Sequence, residues 1–302
     1  MLVITRDGLR PPERNFFEAI NTFELYNGNY SESQSDYKYK FAFPYERLGR
    51  ENCKAITLFM QRYWLHTFTV SLLYYASMNG LRWFMRNRAA FDLRRPLLLW
   101  NVALAIFSIS GVVRMSEEVL DSFSRRGLHK TLCQPPDTSD VAAFWCFLFA
   151  VSKLVELGDT LFIVLRKKRL IFLHYYHHAV VLIYTIHSGA EHAAPGRLFV
   201  TMNYAAHSFM YTYYAVAAAG WRMPRWVAMS VTTIQTVQML TGVAISCTVY
   251  WMKTNGMMCQ QSMANLYLAF MIYATFAFLF IQFYVKTYLK GKEGTEKKEK
   301  KQ

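Results

Sequence analysis

The sequence predicts an all-α polytopic membrane protein with seven transmembrane helices, and three observations carry that reading. Apolar runs of roughly 20 residues alternate with short charged blocks, and that length crosses about 30 Å of hydrocarbon at about 1.5 Å per residue. Only 18% of the 302 residues are charged while 53% are hydrophobic, against roughly 25% charged in an ordinary soluble domain. The basic excess, 34 Lys and Arg against 20 Asp and Glu, collects in the connections after odd-numbered runs. The mean hydropathy of +0.09 decides nothing by itself; the distribution does. It excludes a disordered chain and a nucleic-acid binder.

The apolar runs cover residues 64–85, 97–117, 141–165, 170–189, 197–219, 226–251 and 263–289. The first follows some sixty polar and mixed residues, so it is not a cleaved signal peptide. This divides the chain into an N-terminal segment over 1–62, a seven-helix catalytic domain over 63–289 and a basic tail over 290–302. Arg86, Arg88, Arg94 and Arg95 follow the first run; Arg166, Lys167, Lys168 and Arg169 follow the third. Arg222 and Arg225 follow the fifth, and six lysines follow the seventh. The positive-inside rule then puts these connections and the C-terminus in the cytosol, with the N-terminus lumenal.

Three sequence features agree with that orientation. Asn29-Tyr30-Ser31 is a glycosylation sequon in the lumenal segment. Cys133 and Cys259 both fall in lumenal connections, where a disulfide can persist and free thiols are the bland alternative. Lys298 and Lys300 lie fifth and third from the end, which resembles a dilysine signal for the endoplasmic reticulum; a solvated basic tail near anionic lipid is the competing reading.

Ionisable and amide side chains at membrane depth are costly and by default mark function. In the fourth run His174, His177 and His178 lie at i, i+3 and i+4, on one helix face within roughly 6–12 Å of the cytosolic edge. In the fifth, Asn203, His207, Met210, Tyr211 and Tyr214 share a face. The sixth carries Thr232, Gln235 and Gln238, which can also be interhelical glue. The third carries Lys153, Glu156 and Asp159 at steps of three with Thr160 alongside, where a purely structural ion pair is the rival explanation.

An intramembrane His-x-x-His-His suits either a di-iron centre, as in desaturases and hydroxylases, or metal-free nucleophilic and acid–base catalysis. The chain has eight histidines, and His129, His187 and His192 fall in or beside lumenal connections. Too few converge for three ligand boxes, which favours the metal-free, cofactor-free chemistry. A seven-span receptor or transporter is the remaining class.

The stretches Lys153-Leu-Val-Glu156-Leu-Gly-Asp159-Thr160, His174-Tyr-Tyr-His177-His178, Asn203-Tyr-Ala-Ala-His207 through Tyr214, and Thr232-Thr-Ile-Gln235-Thr-Val-Gln238 stand in one order. In this they resemble the very-long-chain fatty acid elongases, membrane 3-ketoacyl-CoA synthases. Phe91 through Asn101 has the same look. Lys168 through Leu173, and Thr201-Met202-Asn203, are similar to the branch that takes saturated and monounsaturated chains of palmitoyl type. The resemblance implies an acyltransferase joining acyl-CoA to malonyl-CoA. It implies six of the helices in a ring around an acyl-chain tunnel, and association with the reductases and dehydratase of the elongation cycle. It further implies that His177 is acylated, that His207 positions malonyl-CoA, and that His174 and His178 orient groups or move protons. Asn203, Tyr211, Gln235, Gln238, Lys153, Glu156 and Asp159 would support them. Arg94, Arg95, Arg166, Lys167, Lys168 and Arg169 are candidates for the CoA phosphates, with topology signalling as the plainer role.

Overall fold

A computed structural model describes residues 37–137 and 140–289, together with Ile20, Asn21 and Phe23. Asn29 and the lysine tail lie outside the described residues. Every regular element among the described residues is helical. A 3₁₀ turn at Pro44–Glu46 leads into α1 (Arg47–Tyr63) and α2 (His66–Phe84). Then come α3 (Arg94–Asp121), a π-turn at Ser122–Arg126 and α4 (Gly127–Cys133). The remainder is α5 (Val141–Val155), α6 (Gly158–Leu165), α7 (Phe172–Glu191), α8 (Gly196–Ala219), α9 (Arg225–Thr254), α10 (Met263–Tyr284) and a π-turn at Val285–Leu289.

Four helical segments are long and apolar enough to cross a membrane: Arg94–Cys133, Val141–Leu165, Arg225–Thr254 and Met263–Leu289. The other three expected spans fold as helices α2, α7 and α8, of 19, 20 and 24 residues. Length does not separate them from the four, since about 20 residues suffice. Polarity does in the central pair: α7 holds four histidines, and α8 holds Arg197, Asn203 and His207.

Two features depart from the sequence reading. Residues 47–63, for which the sequence reading marked no helix, form α1. Its Ile56 and Met60 recur at helical spacing beside Lys54 and Arg62, so it has an apolar stripe without the bulk of a span. The run over 141–165 is two helices. Between them Leu157, Asp159 and Thr160 donate their N–H groups to the carbonyls of Leu154, Glu156 and Leu157 at 3.0–3.3 Å, the three-residue step of a 3₁₀ turn.

Helix neighbours close a cycle: α3 packs on α8, α8 on α9, α9 on α10, α10 on α7, α7 on α5, and α5 on α3. Helix α2 stands outside this ring, against α6 and α7, and α1 lies against α5 and α7. Helix ends are fixed by local chemistry. The Asp140 carboxylate accepts from the Val141 N–H, and the Ser262 hydroxyl from the Asn265 N–H, which satisfies donors that a helix N-terminus leaves open. Helix α8 stops at Gly220, at φ 104, where the Arg94 guanidinium donates to the carbonyls of Ala218 and Ala219 at 2.9 and 2.8 Å. A Cβ at Gly220 would collide with that guanidinium.

Candidate active site

The three-residue turn between α5 and α6 places two carboxylates inside the ring. Glu156 accepts from Lys153 Nζ at 2.8 and 3.0 Å and from the Ser152 hydroxyl at 3.0 Å. Lys153 donates its third bond to Asn203 Oδ1 at 2.9 Å, which ties α5 to α8. Lysine is 1% exposed here, and such a buried cation is tolerable only with its donors satisfied. Asp159 accepts from Trp100 Nε1 at 2.6 Å and from the Tyr211 hydroxyl at 2.7 Å. Gly158 makes the first of these contacts possible, because a Cβ there would meet the Trp100 ring at 2.9 Å.

The histidines face this layer from α7 and α8. His178 Nε2 is 4.0 Å from Asp159 Oδ2, and His207 Nδ1 is 3.7 Å from Glu156 Oε1. The rings of His174 and His178 are 4.5 Å apart, and those of His177 and His178 5.7 Å. His177 packs on Phe276 with a centroid separation of 4.7 Å, and its Nδ1 is enclosed with no hydrogen-bond partner. His174 Nε2 meets the Thr160 hydroxyl at 3.0 Å, and Tyr74 meets the same hydroxyl at 2.5 Å.

All four histidines line one cavity of about 530 Å³, shared with Asp159, Tyr211, Gln235 and Asn101. Its opening carries Arg166, Lys168 and Arg169. The remaining basic candidates do not line it. Arg94 is spent on the α8 terminus, Lys167 Nζ donates to the Arg86 carbonyl at 3.2 Å, and Arg95 is exposed. Gln238 is buried in α9 and likewise does not line the cavity. Gln235 reaches Met210, its amide 3.1 Å from the sulfur.

A second, more apolar cavity of about 140 Å³ is lined by Phe149, Val200, Phe199, Tyr273 and, from α1, Ile56 and Met60. Asn203 lines this cavity and His207 the larger one, so a single turn of α8 separates them. Beyond it Cys133 and Cys259 are joined in a disulfide. Those two cysteines and His129 form a close His/Cys grouping, but the disulfide takes both sulfurs. Arg197 donates to Glu118, Ser122 and the Gln134 carbonyl in the same region. Sequence reasoning missed Tyr74, Asn101 and Arg197 as interior polar groups. Asn101 and Arg197 stand at the edges of apolar runs, where a polar residue resembles a boundary, and a tyrosine in an apolar run is unremarkable.

Comparisons with known proteins give the family of the chain. The family model described as ELO: GNS1/SUR4 family matches residues 59–296. A Caenorhabditis elegans protein provisionally named fatty acid elongase 4 is 55% identical over 275 residues, covering 91% of this chain and 94% of its own. The rat very long chain fatty acid elongase 6 is 41% identical over 257 residues, covering 84% and 96%. The human very long chain fatty acid elongase 3 is 39% identical over 245 residues, covering 80% and 90%.

Proposed function

The chain belongs to the GNS1/SUR4 (ELO) family, and from that premise we propose that it is the condensing enzyme of fatty acid elongation. It joins a long-chain acyl-CoA of saturated or monounsaturated, palmitoyl type to malonyl-CoA. One observation carries the chemistry: His174, His177, His178 and His207 share a cavity whose opening bears Arg166, Lys168 and Arg169. An acyl chain needs apolar walls, and CoA needs cations and water. In this reading the apolar cavity beyond Asn203 takes the acyl chain, and the basic residues lining the histidine cavity take the CoA.

His177 attacks the thioester carbonyl through Nε2, the ring nitrogen that is not enclosed. The C–S bond breaks, the first CoA leaves as thiolate, and the acyl group stays on the imidazole. Malonyl-CoA then loses CO2 by cleavage of its carboxylate C–C bond. The resulting enolate carbon attacks the acyl carbonyl, and the C–N bond to His177 breaks. Its Nδ1 proton stays in place throughout, consistent with an enclosed nitrogen that has no acceptor. His207 holds the malonyl group and the enolate oxygen, with Asn203 oriented by Lys153. Arg166, Lys168 and Arg169 meet CoA phosphates. The seven helices cross the endoplasmic reticulum membrane with the opening on the cytosolic face, and the 3-ketoacyl product passes to a reductase in that membrane.

The test is release of CoA from acyl-CoA alone. Wild-type protein without malonyl-CoA should release about one equivalent, and His177→Ala should release none. Undiminished release by the variant would remove the covalent step.

A further inference from the structure

Helix α2 stands outside the ring, yet its Tyr74 reaches the histidine box. Tyr74 is 7% exposed and Thr160 is fully buried. Among the described residues the Tyr74 hydroxyl has one hydrogen-bonding partner, the Thr160 hydroxyl at 2.5 Å, and Thr160 has a second in His174 Nε2 at 3.0 Å. These three atoms carry a definite polarity. A buried phenol needs an acceptor for its proton, and Thr160 is the acceptor within reach. The Thr160 oxygen can accept from both neighbours, but its own buried proton also needs an acceptor. His174 Nε2 is the one other hydrogen-bond partner it has among the described residues, so Thr160 donates to that nitrogen. An Nε2 that accepts carries no proton, so the ring proton is on Nδ1 and the ring is neutral. His174 lines the cavity, and Nδ1–H is the polar group that Thr160 leaves unused.

We propose that Tyr74 is a positioning residue, acting through Thr160 to hold His174 in its Nδ1–H form. His174 is then a fixed hydrogen-bond donor to the oxygen of the reacting acyl group, and not the base or the nucleophile. The proposal rests on the histidine mechanism above and adds a division of labour within it. His177, whose Nδ1 has no partner, supplies the attacking nitrogen. His174, whose Nε2 is engaged, supplies a donor preset before substrate arrives, and such preset donors stabilise developing negative charge without reorganisation. Helix α2 thereby contributes to the reaction from outside the ring.

Three variants of the full chain test this, with kcat and KM measured on a saturated long-chain acyl-CoA and malonyl-CoA. Tyr74→Phe should lower kcat about three- to tenfold, the range for one lost hydrogen bond, without moving KM for acyl-CoA. Thr160→Val should lower kcat about 10- to 100-fold, toward the range for a misaligned oxyanion donor. Thr160→Ser, which keeps the hydroxyl, should restore most of that loss; adding Tyr74→Phe to Thr160→Val should cost nothing more. Nitrogen-15 spectra of histidine-labelled protein give a readout independent of turnover: the His174 signal, identified by its loss in His174→Gln, should show an unprotonated Nε2. In Tyr74→Phe it should become a mixture of tautomers. Unchanged kcat in Tyr74→Phe, a serine variant as slow as the valine variant, or a protonated Nε2 in wild type would each overturn the proposal. CoA release by His177→Ala in parallel separates the two ideas. Release by that variant overturns the covalent step while the tautomer is still read from the spectrum; no release, together with unaffected Tyr74→Phe, overturns the relay alone.

Discussion

At the Cys133–Cys259 end of the ring, Arg197 is 1% exposed and donates to Glu118, Ser122 and the Gln134 carbonyl. Lys253 there donates to the carbonyls of Cys259 and Gln261. At the opposite end Arg166, Lys168 and Arg169 line an opening, while His177 Nδ1, His178 Nδ1 and Asn101 Nδ2 are enclosed without partners. Both ends bury costly groups. The first pairs its cations with acceptors from several helices, although Arg197 Nε and Gln261 Oε1 are also enclosed there without hydrogen-bond partners. The second gathers its groups around a cavity. Access to that cavity, more than residue type or full hydrogen bonding, separates structural charge from reactive charge in this molecule, and Arg94 makes the point: it lines no part of the cavity and holds the end of α8.

The strongest way to break this comparison is Arg197→Met. It strands Glu118 without its buried cation, and such a loss costs about 3–5 kcal/mol. Thermal unfolding in detergent should show a large drop, while the rate per folded molecule stays near wild type; a slower folded enzyme with unchanged stability would reverse the assignment. Replacing Cys133 and Cys259 by serine opens a link across 126 residues and should cost about 2–4 kcal/mol, again with turnover preserved. At the other end the sign changes. Arg169→Ala or Arg166→Ala should raise KM for acyl-CoA about tenfold through a lost charge-assisted bond, an effect that fades as salt rises. Arg94→Ala should leave that KM alone and lower stability; a matching KM increase would place Arg94 among the CoA contacts.

The smallest effect concerns pH. His192 follows α7 at φ 53 and meets the Thr57 hydroxyl at 2.8 Å. Burial lowers its imidazole from 6.5 to about 4. The folded state therefore holds the neutral ring, and the unfolded chain takes up a proton first as pH falls. Its contribution is complete above about 6.5, declines between about 6.5 and 4, and falls no further below that. His192→Asn, which tolerates the left-handed backbone, should flatten that part of the stability profile. An identical slope in the variant would assign the dependence elsewhere.

The helices and the four polar motifs were legible because apolar length and three- and four-residue spacing are local properties. His174, His177, His178, His207 and Asp159 line one cavity, as their common placement inside apolar runs suggested. What was not legible depends on neighbours. Nothing in the chain near Arg94 says that Gly220 will meet it, or that Trp100 will approach Gly158. Tyr74 is 86 residues from Thr160, and a tyrosine in an apolar run reads as packing until a partner appears. Helix α1 was missed for another reason: its polar face resembles a loop when only spans are sought.

The tightened turn at Leu154–Thr160 has a consequence for angular phase. Along an unbroken α-helix, residues three apart are rotated by about 300°, so each step of three lags a full turn by about 60°. A 3₁₀ turn has about three residues per turn and removes that lag. Glu156 and Asp159 are spaced by three, and the Asp159 N–H bonds back to the Glu156 carbonyl at 3.0 Å. Their carboxylates therefore emerge in nearly the same direction at different heights, one meeting Lys153 and facing His207, the other meeting Tyr211 and facing His178. A regular α-helix through this point would swing Asp159 away from the histidine rows. The interruption acts as a gear-tooth correction, keeping two carboxylates in mesh with histidines on two other helices.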